Sequence, residues 1–172
     1  MYKVYATILF GFLSGLTTRR ALLVRQTLAP LKASTTMLTV TTHERIEIIN
    51  LTQEIQSLPG VRDISQGFVF LHSLHTTTGL CINEFQDALL HDIKSLFERL
   101  APVGLLYRHN DPLYSDCTRQ NATSHLGAIT LGQSVQVPIG QGQLVLGTWQ
   151  RILFCELDGP QPRRIHAQLM GI

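Results

Sequence analysis

Acidic residues are missing from the first quarter of the chain. Nothing before Glu44 carries a negative side chain, whereas Lys3, Arg19, Arg20, Arg25 and Lys32 carry positive ones. The net charge of +2 therefore hides a division, because residues 44–172 hold nine basic against twelve acidic side chains. A mildly acidic body offers no basic face, which argues against nucleic acid as a partner. Long apolar runs are also missing. "VYATILFGFLSGL" at 4–16 falls short of the roughly 20 residues that a spanning helix needs, so no stable membrane insertion is expected. It looks like the apolar part of a signal peptide, but no small-residue cleavage site follows it. "TTRRALLVRQTLAPLKASTT" at 17–36 is acid-free, Arg-bearing and Thr-rich, as organellar transit peptides are. Residues 1–36 are read as an extension or leader and 37–172 as a single domain. The expected location is the cytoplasm, with organellar import if 1–36 is a leader.

Cysteine is scarce. Cys81, Cys117 and Cys155 are odd in number and widely spaced, without a CxxC pair, which points to reduced and mostly buried thiols. No GxGxxG, Walker loop or GxSxG occurs, so the common nucleotide-binding and hydrolase patterns are excluded. What remains is a chain 44% hydrophobic and 15% charged, a composition that folds around a core.

The apolar periodicity gives an α+β order. "MLTVTT" (37–42) and "RIEIIN" (45–50) predict strands around a short turn, hence a hairpin. "LTQEIQSL" predicts a short helix stopped by Pro59-Gly60, and "GFVFLHSL" (67–74) a central strand. "FQDALLHDIKSLFERL" (85–100) has Leu89, Leu90, Ile93, Leu96, Phe97 and Leu100 at helical spacing. A second helix opens at Asn121, read as its cap, and ends at Gly132. "SVQVPI", "LVLG", "WQRILFCEL" and "RRIHAQLMG" then predict strands joined by short turns, so pairing is mainly antiparallel.

Three constellations carry chemistry. "HTTTGLCINE" puts His75, Thr76, Thr77 and Thr78 at a strand end, where hydroxyls, backbone N–H groups and an imidazole suit a phosphate; an ordinary turn capped by Thr hydroxyls needs the same residues. "RHND" adds Arg108, a bidentate-capable donor, or is simply a solvated loop. His75, His109 and His125 sit in loops or at element ends. Three neutral imidazoles converging would hold a divalent metal, but their spacing is not a local motif. Each is equally readable as a hydrogen-bonded loop histidine.

These blocks also resemble a known family. "HTTTGLCINE", "YRHND", "NATSHL", "LGQSVQVPI", "GQLVLGTWQRILFCELDGP" and "RRIHAQLMG" follow the order and spacing of the YjbQ-like family, also called secondary thiamine-phosphate synthase enzymes, over about residues 37–172. The resemblance implies an antiparallel β-sandwich or barrel-like sheet with a few flanking helices. It implies a homotrimer with sites near subunit boundaries, and thiamine-phosphate synthase activity on small phosphorylated substrates. The positions that match are His75, Thr76, Thr77, Asn83, Glu84, Asp87, His109, Asn121, His125, Trp149, Gln150, Glu156, Asp158 and Arg163 or Arg164. On that basis Glu156, Asn83 and Asp87 are candidate catalytic residues. Thr76, Thr77, Arg108, Arg163 and Gln150 are candidates for the substrate and its phosphates. His75, His109 and His125 are candidates for a divalent ion, Zn or Mg. The chain departs from the family at Thr78, where Ala is usual, and at Gln161-Pro162, which shift the register of the arginines. Arg119 and Gln120 replace acids, which weakens a cation site or alters the substrate. The alternatives are a phosphate- or metal-binding oligomer without turnover and a metal-dependent hydrolase.

Overall fold

The computed structural model describes residues 30–172, and what was expected of 1–29 lies outside them. Eight strands form two sheets: β1 (Lys32–Thr41), β2 (Glu47–Asn50), β3 (Gln66–Ser73), β4 (Thr78–Asn83), β5 (Ser134–Gly140), β6 (Gln143–Leu144), β7 (Arg151–Glu156) and β8 (Pro162–Gly171). The larger sheet has the order β1-β8-β3-β5-β6 and the smaller β2-β7-β4. Every pairing is antiparallel, as the short connections predicted.

The alternation in β8 explains the larger sheet. Ile165, Ala167 and Leu169 face inward with Val69, Leu71, Val137 and Ile139, while Arg164, His166 and Gln168 face out. In the smaller sheet β7 reads "RILFCE", apolar without alternation, because it is covered on both sides. Ile152 and Phe154 meet the larger sheet. Leu153 and Cys155 meet α2 (Asp87–Leu100) and α3 (Ala122–Leu131) through Leu90, Ile93 and Leu131. The short helix α1 (Thr52–Gln56) and its following turn put Ile55, Leu58 and Val61 into the core between the sheets.

Two expectations are corrected. The runs 37–42 and 45–50 do not form a hairpin: β1 pairs with β8 and β2 with β7, so the turn at 42–46 crosses between sheets. β1 starts at Lys32, five residues ahead of the domain start expected at 37, and Lys32–Thr36 are registered against β8. Asn121 stands at the N-cap position of α3 but makes no capping bond with its side chain, which is used elsewhere. None of the described helices is long and apolar enough to cross a membrane.

Candidate functional site

Two crossovers meet at one end of the sandwich. Residues 74–77 carry the chain from β3 to β4, and 157–161 carry it back from β7 to β8. They are tied by Leu157 N–H donating to the Thr77 carbonyl at 3.1 Å and Leu74 N–H to the Arg164 carbonyl at 3.1 Å. Gly159 lets the second crossover run close under the turn at 42–46, since a Cβ there would collide with the Glu44 carbonyl and lie 2.8 Å from Glu156 Cγ. Between the crossovers and the loop leading to α3 lies a cavity of about 380 Å³. His75, Thr76, Thr77, Cys117, Arg119, Asn121, His125, Asp158, Gln161 and Arg163 line it, with Leu74 at the edge.

Arg163 occupies an inward position of β8 and is 3% exposed. Such a cation must be paired. Its Nε donates to Glu156 Oε2 at 2.5 Å and its Nη2 to Glu156 Oε1 at 2.6 Å, a bidentate fork. Nη2 also donates to Thr77 Oγ1 at 3.1 Å. The carboxylate receives two more donors, Thr42 Oγ1 at 3.1 Å and Asp158 N–H at 2.8 Å. Glu156 is fully buried with both oxygens engaged and does not line the cavity. It fixes Arg163, and that geometry suits a positioning residue rather than a group in contact with a ligand, as a catalytic residue would be.

The remaining guanidinium nitrogen, Nη1, faces His75 Nδ1 at 3.5 Å. On the other side of the ring, His75 Nε2 accepts the Arg164 backbone N–H at 2.9 Å. A neutral imidazole that accepts at Nε2 carries its proton on Nδ1. Burial first, and then the Arg163 charge, lower the His75 pKa and favour this neutral form, against an upward pull from Glu156. Two N–H donors thus stand 3.5 Å apart at the cavity wall with no acceptor between them.

The opposite wall is built by α3. His125 and His109 meet edge-to-face with centroids 4.8 Å apart, and the His109 ring nitrogen lies 3.3 Å from Asn121 Oδ1. Burial and the His109 charge lower the His125 pKa, while Asp158 and a bond to the Thr76 backbone pull it upward. Asn121 Nδ2 donates to Asp158 Oδ2 at 2.9 Å, and Arg119 Nε donates to the same oxygen at 2.9 Å. The arginine that departs from the family pattern therefore neutralises the one carboxylate on the cavity wall. Arg108, over the Tyr114 ring at 5.2 Å from its centroid, lies with His109 in a neighbouring hollow that shares His125.

The histidine set expected for a metal does not converge. Among the described residues no three His, Cys, Asp or Glu side chains are placed to share an ion. His75 turns one nitrogen to a backbone N–H and the other toward a guanidinium, which leaves no lone pair for a cation. Asn83 and Gln150 are also apart from the cavity. Asn83 pairs with Arg151 at the far end of β4 from Thr78, roughly 17 Å away at the usual strand rise. Gln150 closes the turn before β7 by accepting the Gly147 N–H at 2.8 Å. Asp87 opens α2 in a separate depression with Glu44, Glu47 and Lys94. Trp149 is 69% exposed, so it supports no pocket within one chain. Cys117 was missed as a lining residue: without a CxxC partner it read only as a buried thiol, and nothing in its neighbours signals that its loop folds back over the crossovers.

Sequence and structure comparisons agree on the relatives. Residues 36–172 match the UPF0047 protein YjbQ-like family. The chain belongs to that family. A UPF0047 protein of Archaeoglobus fulgidus is 46% identical over 74% of this chain and 94% of its own length. One from Methanothermobacter thermautotrophicus is 40% identical over 76% and 87%. The crystal structure of a YbjQ-like protein of unknown function from Sulfolobus solfataricus superposes with a TM-score of 0.75 at 30% identity, covering 83% of this chain and all of that one. The family blocks quoted from the sequence thus fall on two places, the crossover end, with His75, Thr77, Asn121, His125, Asp158 and Arg163, and the opposite end, with Asn83 and Gln150.

Proposed function

We propose that the crossover cavity binds a small phosphorylated ligand and that the protein joins a pyrimidine diphosphate to a thiazole phosphate. One contact supports the anion above all: Arg163 Nη1 lies 3.5 Å from His75 Nδ1, and because Nε2 accepts the Arg164 N–H, a neutral ring carries its proton on Nδ1 and both nitrogens are donors. A phosphate oxygen placed there satisfies both donors. Charge-assisted bonds of this kind are the strong ones, and an arginine already clamped by Glu156 loses little freedom on binding. Thr76 and the Thr77 hydroxyl lie beside it, with Arg119 across the cavity.

In the proposed reaction the C–O bond between the pyrimidine methylene and the diphosphate breaks, and its electron pair leaves with pyrophosphate. The thiazole nitrogen lone pair forms the new C–N bond, and no proton is transferred. Such a step needs placement of the two partners and neutralisation of the leaving group, with little covalent catalysis. In this reading Arg163 Nη1 and the His75 N–H donate to the leaving group, while Arg119, whose charge is shared with Asp158, stands across the cavity. Because the three imidazoles do not converge, no step is assigned to a metal, and turnover with and without added Mg²⁺ tests the metal-assisted form.

The far-end residues belong to the proposal through assembly. Asn83 and Gln150 stand at the opposite end of β4 and β7 from Thr77. A homotrimer that sets this end of one copy against the crossover end of the next brings both groups to one site. Exposed Trp149, Leu106, Leu113 and Ile129 are apolar surface of the kind such contacts cover.

The test is an incubation with both substrates, following pyrophosphate and thiamine phosphate together. Equal amounts of the two are expected. Pyrophosphate without thiamine phosphate favours a hydrolase, and pyrophosphate binding with no reaction favours a binding oligomer.

A further inference from the structure

The outer face of the larger sheet carries a histidine pair that the crossover site does not use. His72 of β3 and His166 of β8 are directly opposite one another in the antiparallel register. Both are outward positions, since their neighbours Leu71, Ser73, Ile165 and Ala167 are buried. Directly opposed residues on adjacent strands have Cβ atoms about 4.5–5.5 Å apart on the same face. Side chains on such a pair are near enough for rotamers that bring two imidazoles to one ion at the usual metal–nitrogen distance of about 2.0–2.1 Å.

The His72 ring is oriented by two further contacts. Its Nδ1 lies 2.7 Å from the hydroxyl of Ser134, which is its register partner on β5. Phe70, two residues back on the same face, stacks on it with centroids 6.3 Å apart and planes 8° from parallel. With Nδ1–H given to the hydroxyl, Nε2 is left with a free lone pair. That is the arrangement that fixes tautomer and direction in metal-binding histidines.

We propose that His72 and His166 chelate a divalent transition-metal ion on the outer face of the sheet, with Ser134 as the positioning residue and water completing the coordination. Two imidazoles and open positions suit Ni²⁺, Zn²⁺ and Cu²⁺, with Cu²⁺ held most tightly. The site does not depend on the anion reading of the cavity.

Calorimetric titration of the untagged full chain with Ni²⁺ and Cu²⁺ tests it. The tightest equivalent weakens at least about tenfold in His72→Ala and in His166→Ala, since losing a ligand costs no less than losing its orienting partner. Ser134→Ala weakens it less, and His109→Ala, which breaks the other histidine pair, leaves it unchanged. His72→Asn and His166→Asn repeat the measurement with polar side chains if alanine unsettles the sheet. Parent-like affinity in either His72 or His166 variant overturns the proposal, as does a loss confined to His109→Ala.

Discussion

Arg163 enters the sandwich already bonded to Glu156 through two nitrogens, and it keeps only Nη1 for the cavity. Glu156→Gln leaves that cation buried without its counter-charge. Breaking a buried pair from one side costs about 3–5 kcal/mol, so a marked fall in Tm is expected. An unchanged Tm would mean that the fork contributes nothing to stability. His125 is different. It lies at the wall with little apolar area to lose, and His125→Ala is expected to cost no more than about 1 kcal/mol while weakening ligand binding; urea unfolding and ligand titration of one variant separate the two effects. The depressed His75 and His125 pKa values carry a sign. The unfolded chain takes up protons near pH 6.5, the folded chain only lower, so this stability is present above pH 6.5 and is lost as pH falls below it. Melting curves from pH 7.5 to about 5 are expected to decline, and less steeply in the His75→Asn, His125→Asn double variant. The residue types that line the cavity stood out in the sequence, because hydroxyls, imidazole and arginine are what the proposed phosphate would require. The job of Glu156 was not, because its partner lies across a crossover whose course no local spacing gives.

β1 shows where reading by element succeeds and fails. Its β propensity was plain from 37 onward, but "KAST" carries no apolar alternation, and only pairing with β8 draws Lys32–Thr36 into the strand. A chain starting at Met37 loses the β1 half of five of the ten registered pairs between Lys32 and Thr41 in the β1–β8 ladder, whereas one starting at Pro30 keeps them all. The shorter chain is expected to melt earlier, and equal melting of the two would support a domain that starts at 37. β7 and α2 were read correctly in kind, since a solid apolar run and a helical stripe each allow one answer. The supposed hairpin failed for a physical reason: a five-residue turn joins strands within a sheet or across a sandwich equally well, and core packing decides. Asn121 failed likewise, because a cap and a site ligand want the same short amide.

At the scale of the whole molecule, the family blocks are split between the two ends of one sandwich, and that split is what the proposed trimer resolves. Light scattering is expected to give three times the 19.2 kDa chain mass, and the mass of a single chain would leave Asn83 and Gln150 without a site. The fold class was legible because strand order and short turns restrict the architecture, whereas assembly depends on surfaces that periodicity does not describe. The central claim, an anion held between Arg163, His75 and Thr77, is tested most directly by calorimetric titration of pyrophosphate into the intact protein and into Thr77→Val, with melting temperatures measured on the same samples. The account expects saturable binding to the parent and a loss of roughly 1.5–3 kcal/mol in the variant, about 10- to 150-fold, with little change in Tm. Equal affinity in the two proteins, or no binding to the parent, would contradict it.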